Sequence, residues 1–143
     1  MSTLCERGDL PDDFTHAEMT GPFVQHLGLK LEEVNDDRVA AHWEAARHLQ
    51  QPYGIVHGGV HCSVVETLAS VGAAAWWGAR GKVVAVTNTT DFFRPVSEGR
   101  LRSVGTSAHR DHAQQVWVVE TRDAESRLVA RGYVRLQNLQ PQD

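Results

Sequence analysis

A single glutamate, Glu66, interrupts an otherwise uncharged run from Val56 to Gly78. Within that run only His57 and His61 also titrate near neutrality. The remaining residues are small or apolar nearly all round, the pattern of a helix buried on most sides. A carboxylate in such a place is unfavourable unless it is paired, hydrogen-bonded or used. The chemistry open to it is attack on a carbonyl or activation of a water.

Gly58 and Gly59 fall where this helix begins. The first turn of a helix presents unpaired N–H groups and a partial positive charge, and glycine lets a ligand approach the backbone. That combination suits the oxyanion that develops on an attacked carbonyl. Glu66 lies eight residues further on, about 12 Å along the axis at ~1.5 Å per residue. One carbonyl cannot touch both. Two copies of the helix packed antiparallel across a two-fold axis would bring Glu66 of one beside Gly58 of the other, giving two shared sites per dimer. Ser70, four residues beyond Glu66, shares its helix face and can bond the carboxylate or a water, with Thr67 adjacent. Gln51, in the loop before the helix, carries an amide that can hold a water or a carbonyl, and His57 sits at the helix entry.

The elements that position these groups follow from periodicity. Phe14 to Leu27 contains a short helix broken at Gly21-Pro22. Leu27, Leu29 and Leu31 alternate with polar residues as a strand does, and Val39, Ala41 and Trp43 do so again after the turn Asn35-Asp36-Asp37. After the long helix come four more strand-like runs, Val83 to Phe93, Leu101 to Ala108, Gln114 to Arg122 and a last one through Leu136. About six strands with short connections predict an antiparallel sheet, with one helix covering one face. The helix reads as apolar on its far side too, which predicts a second subunit there.

At 143 residues the chain is long enough for one domain with a real core. The expected division is an N-terminal arm, 1–14, and a single domain, 15–140. A net charge of −4 with dispersed basic residues gives no footprint for nucleic acid. A mean hydropathy of −0.36 and the polar groups in the long helix argue against a membrane span. Two cysteines, Cys5 and Cys62, one in the arm and one in the helix, suit a reducing cytoplasm. The first residues hold no apolar run of the kind a secretory leader needs.

The run Gln51-Pro52-Tyr53-Gly54-Ile55-Val56-His57-Gly58-Gly59, followed by Glu66-Thr67-Leu68-Ala69-Ser70, resembles the signature of hotdog-fold acyl-CoA thioesterases. It is most similar to the PaaI-like branch, and there to the aryl-CoA and proofreading thioesterases of quinone and siderophore pathways. Arg94-Pro95-Val96, Glu98-Gly99-Arg100 and Gln115-Val116-Trp117 resemble the same group. The resemblance implies an α+β hotdog fold, edge-to-edge dimers pairing into a homotetramer, an acyl- or aryl-CoA substrate and no metal or other cofactor. It implies Glu66 as nucleophile or base, the Gly58 amide as oxyanion donor, and His57, Gln51 and Ser70 as groups orienting the carbonyl or water. It departs at Phe92-Phe93, where aryl-CoA relatives carry histidines, and at His109-Arg110-Asp111-His112-Ala113, where relatives hold a Gly/Ser/Arg cluster seating CoA. The implied acyl pocket is more apolar, with Gly59, Thr67, Phe92 and Phe93 lining it and Arg94, Arg102 or Arg110 as candidate phosphate contacts.

Plainer readings stand beside these. His57 can be a helix cap, and Glu66 a structural carboxylate bonded to Ser or Thr. His57 and His61 have metal-ligand spacing, and Cys62, His109 or His112 could add to it, but no second spaced pair exists. Ser63 lacks a Gly-x-Ser-x-Gly elbow, Cys62 lacks a base, and His61 reads as a pocket-wall or interface residue. A hydratase or a non-catalytic acyl-CoA-binding module on the same architecture are the alternative activities.

Overall fold

The computed structural model describes residues 16–141. The expected arm, 1–14, lies outside the described residues. Helix α1 (His16–Leu27) is kinked at Gly21, where φ is 83°, beside Pro22. Strands β1 (Lys30–Val34) and β2 (Arg38–Glu44) follow, then a 3₁₀ turn (Arg47–Leu49) and the long helix α2 (Gly58–Trp77). Strands β3 (Lys82–Phe92), β4 (Arg100–Arg110), β5 (Gln114–Arg122) and β6 (Leu128–Leu139) complete the chain. All pair antiparallel in one six-stranded sheet of order β1-β2-β4-β5-β6-β3, wrapped on α2.

The first strand begins later than the alternation at Leu27 to Glu32 suggests. Leu27 closes α1 instead, because Gly28 takes a left-handed φ of 75° and stops the helix. Leu27, Leu29 and Leu31 are all buried nevertheless. The burial signal was right, and the turn hidden inside it belongs to the glycine.

α2 buries Val64, Val65, Leu68, Ala69, Val71, Gly72 and Ala75 against the sheet. Two glycines set how closely it lies. A Cβ on Gly72 would stand 2.6 Å from the Trp117 ring, and one on Gly132 of β6 would overlap Val65. Around the C-terminal half of α2 the buried side-chain nitrogen and oxygen atoms of the described residues are all paired. Gln115 Nε2 donates to the Ala73 carbonyl at 3.2 Å and to Asn138 Oδ1 at 2.8 Å, and its Oε1 accepts from Trp117 Nε1 at 2.9 Å. Asn138 Nδ2 donates to the Asp111 carbonyl at 2.8 Å. Trp77 Nε1 donates to the Leu139 carbonyl at 3.1 Å.

The far side of α2 is not apolar as expected. Its outward stripe is small and weakly polar: Gly59, Glu66 and Ala74 are exposed, and Ser63, Thr67 and Ser70 half-buried. Counting hydrophobic residues in the window blurred this, because alanine and glycine make the whole helix look apolar while serine and glutamate recur every three to four residues on one face. At the sheet edge, β3 pairs with β6 on one side and leaves its other side open, with Val84 and Val86 about half exposed. No helix among the described residues is long and apolar enough to cross a membrane.

Candidate active site at the start of α2

The loop before α2 is pinned before the helix starts. Val56 N–H donates to the Val96 carbonyl and His57 N–H to the Leu49 carbonyl, at 2.8 and 2.9 Å. Gln51 N–H donates to the Ile55 carbonyl at 2.8 Å, and Gln51 Oε1 accepts from the Tyr53 N–H. The Gln51 side-chain oxygen is therefore held within its own turn, and its Nε2 has no hydrogen-bond partner among the described residues.

His57 is the N-cap of α2. Its Nδ1 accepts from the Gly59 N–H at 2.8 Å. That bond places the imidazole proton on Nε2, so the exposed edge of the ring is a donor. The capping role and an orienting role are compatible. The Val60 N–H donates to the His57 carbonyl at 2.9 Å. With Gly59 and Val60 engaged, the Gly58 N–H is left in the first turn without a partner among the described residues. It is the amide free to meet a developing oxyanion.

Gly58 has a second reason to be glycine. A Cβ there would stand 2.9 Å from Cζ of Phe92, at the end of β3. The Phe92 ring thus covers the backbone at the helix start while remaining 54% exposed. It continues to His61, whose ring centroid lies 5.9 Å away, and His61 in turn meets Trp43 edge-on at 5.6 Å. His61 is 4% exposed, and burial lowers its pKa to about 4, so it is neutral at physiological pH. Its Nδ1 is buried with no partner among the described residues. An unpaired buried polar group costs about 1–3 kcal/mol.

Glu66 is exposed in the protomer rather than buried. Position 66 points away from the sheet on the weakly polar stripe, and among the described residues nothing covers it. Among the described residues no hydrogen bond joins Ser70 to Glu66, and the Thr67 hydroxyl donates back to the Ser63 carbonyl at 2.7 Å. Asn88 Nδ2 on β3 donates to the Cys62 carbonyl at 3.0 Å and Thr90 supports it, tying the open-edged strand to the helix between Gly58 and Glu66. Neither residue stands out in the sequence except as a polar position inside a β-branched run.

Within one protomer the structure brings together Gly58, Gly59, His57, Phe92 and His61, and keeps Glu66 with Ser70 apart on the same helix. Phe93 and Arg94 are exposed at the end of β3. Arg110 lies elsewhere: its guanidinium bonds Asp37 at 3.0 Å and the Asp36 carbonyl, and stacks 5.1 Å from Trp76 at the other end of α2. The β4–β5 turn is closed on itself. His109 and the N–H groups of Gln114 and Ala113 bond Asp111, holding its carboxyl down to about 2. Among the described residues no His, Cys, Asp and Glu side chains cluster as a metal site would need.

A helix wrapped by an antiparallel sheet, with a free amide at its capped start, defines the hotdog class. Residues 53–130 match the family described as the thioesterase superfamily. The crystal structure of AziG from S. sahachiroi is similar at 55% identity, with a TM-score of 0.84 over 85% of this chain and 98% of that one. The 1,4-dihydroxy-2-naphthoyl-CoA hydrolase of Escherichia coli is 31% identical over 76% of this chain and 79% of its own. The proofreading thioesterase EntH of Cronobacter turicensis is 29% identical over 78% of this chain and 82% of its own. The chain belongs to the thioesterase superfamily and is a thioester hydrolase of hotdog fold.

Proposed function

We propose that the enzyme hydrolyses acyl- or aryl-CoA thioesters in the cytoplasm, at sites shared between the two protomers of a dimer. The observation that carries this reading is the separation of its two halves. The unpartnered Gly58 amide and the exposed Glu66 carboxylate lie on one helix, about 12 Å apart at ~1.5 Å per residue. The open edge of β3 supports a second copy as the missing piece, since a long unpaired edge strand is a template for pairing. Antiparallel packing of two such protomers joins Glu66 of one to the Gly58 turn of the other, and dimers pair further into a tetramer.

In this arrangement the Gly58 N–H and the His57 Nε2–H polarise the thioester carbonyl. Glu66 activates the attacking water or attacks directly, with Ser70 and the Gln51 amide positioning the water. Carbon–sulfur cleavage releases CoA thiolate and the free acid. Gly59, Thr67, Phe92 and Phe93 line the acyl side, and Arg94, exposed just beyond β3, reaches the CoA phosphates. The family and the CoA-thioester relatives support the substrate class.

Release of free CoA thiol from benzoyl-, phenylacetyl-, naphthoyl- and C4 to C16 acyl-CoAs tests the activity. A mixed dimer tests the sharing. Glu66→Ala on one protomer and Gly58→Val on the other leave one site intact and one doubly damaged, so about half the wild-type turnover per dimer returns. Inactivity of the mixed dimer overturns the shared site.

A further inference from the structure

Carbonyl groups inside a helix need no outside partner. In the ladder of α2 the Cys62 carbonyl already accepts from the Glu66 N–H, four residues on. Asn88 of β3 nevertheless directs its amide there, Nδ2 donating to the same oxygen at 3.0 Å. Thr90 Oγ1 in turn donates to Asn88 Oδ1 at 2.8 Å, which fixes the orientation of that amide. Both side chains are half-buried on the helix-facing side of β3, in register with Val134 and Gly132 of β6. The other helix-facing positions of the strand are apolar: Val83, Ala85 and Phe92. A leucine at 88 would pack there without desolvating an amide, and the helix carbonyl would remain satisfied. Fold stability alone does not call for the pair.

The location of this tie is informative. Gly132 faces Thr90 across the β3–β6 pairing. A Cβ there would stand 2.7 Å from Thr90 Oγ1 and 2.4 Å from Cγ1 of Val65, the residue before Glu66. The tie therefore falls on the ladder bond that the Glu66 amide itself makes. The same strand meets α2 one turn earlier, where the Phe92 ring abuts Gly58. β3 thus holds the helix both at the turn with the free amide and at the turn leading to the carboxylate. Its other side is the open sheet edge on which the proposed second subunit pairs.

We propose that Asn88 is a positioning residue. Through the Cys62 carbonyl it fixes the turn carrying Glu66 against the edge strand, and so sets where the carboxylate arrives at the neighbouring Gly58 turn. This rests on the site reading above. It gives a role to Asn88 and Thr90, which the proposed hydrolysis does not itself use.

The test follows kcat and KM on the thioester, among the benzoyl-, phenylacetyl-, naphthoyl- and C4 to C16 acyl-CoAs, that the wild type cleaves fastest. Asn88→Leu keeps the volume and removes the bond. Misplacing a reacting group by about 1 Å can cost on the order of a hundredfold, so kcat is expected to fall by about ten- to a hundredfold. KM is expected to stay close to wild type, since Asn88 touches no substrate. Thr90→Val, which frees the amide to turn, gives a smaller fall, and Thr90→Ser, which retains the hydroxyl, avoids it. In a Glu66→Gln background Asn88→Leu is expected to cause no further loss, because the group it positions is already disabled. An equal further loss there marks a merely structural residue and overturns the proposal, as does an undiminished kcat in Asn88→Leu. Circular dichroism and gel filtration check folding and self-association. If Asn88→Leu fails either, Thr90→Val against Thr90→Ser decides in the same two backgrounds, and equal kcat in the two overturns the proposal. If the wild type cleaves no thioester, or Glu66→Gln keeps its turnover, the site reading fails and this inference falls with it. A disabled Glu66→Gln beside an unimpaired Asn88→Leu overturns this inference alone.

Discussion

The two halves of α2 are finished to different degrees. Around the C-terminal half the chain answers its own needs: Gln115, Trp117 and Asn138 satisfy one another, and Gly72 lets the Trp117 ring close against the helix. Around the N-terminal half it does not. The Gly58 amide and His61 Nδ1 lack partners among the described residues, Phe92 is half exposed, and Glu66 faces outward. A folded chain rarely leaves polar groups unmatched in its interior. Their concentration at one end of one helix supports placing the proposed chemistry there.

The sharpest way to break this contrast is at Glu66. Removing a general base typically lowers turnover by about 10²–10⁴-fold. Glu66→Gln is expected to do so in the thiol-release assay, while thermal unfolding shifts by no more than about 0.5 kcal/mol, as for an exposed position. Unchanged turnover would strip the N-terminal half of its special status.

The opposite result is expected from the finished half. Gln115→Leu leaves the Trp117 indole N–H and Asn138 Oδ1 unanswered, and each buried orphan costs about 1–3 kcal/mol. Chemical denaturation should show that loss, with turnover of the folded fraction retained. Gly72→Ala forces its new methyl toward the Trp117 ring and should destabilise by about 1–3 kcal/mol.

Acid distinguishes the halves by another route. The His61 pKa is lowered from 6.5 to about 4 in the folded protein by burial. Between those values the unfolded chain binds the proton and the folded chain does not, so stability is lost as pH falls through that window. The loss, on the order of 3 kcal/mol at most, should be visible by denaturant titration and absent in His61→Phe. A smaller change still is expected at the exposed Arg100–Glu44 pair, where Glu44→Ala should shift stability by less than about 1 kcal/mol.

Much of the framework that carries the candidate site was legible before folding was considered. Gln51, His57, Gly58, Glu66 and Ser70 are spaced as a loop, a helix entry and a helix face require, and those elements occur where expected. The burial of Glu66 was misread, because a window rich in alanine and glycine cannot say which face meets the sheet. The contact of Phe92 with Gly58 was unreadable, since it joins positions far apart in the chain through a strand register. Likewise, nothing in the run Val60-His61-Cys62 tells that His61 would be buried with its Nδ1 unpartnered among the described residues.

By itself the sequence determined the periodic elements and the order of chemical groups along one helix, because periodicity and turn chemistry are local. The tertiary structure decided which helix face is covered, which amide stays free and which ring closes over it. Those outcomes depend on the wrap and register of six strands around α2, long-range pairings that no stretch of neighbouring residues encodes.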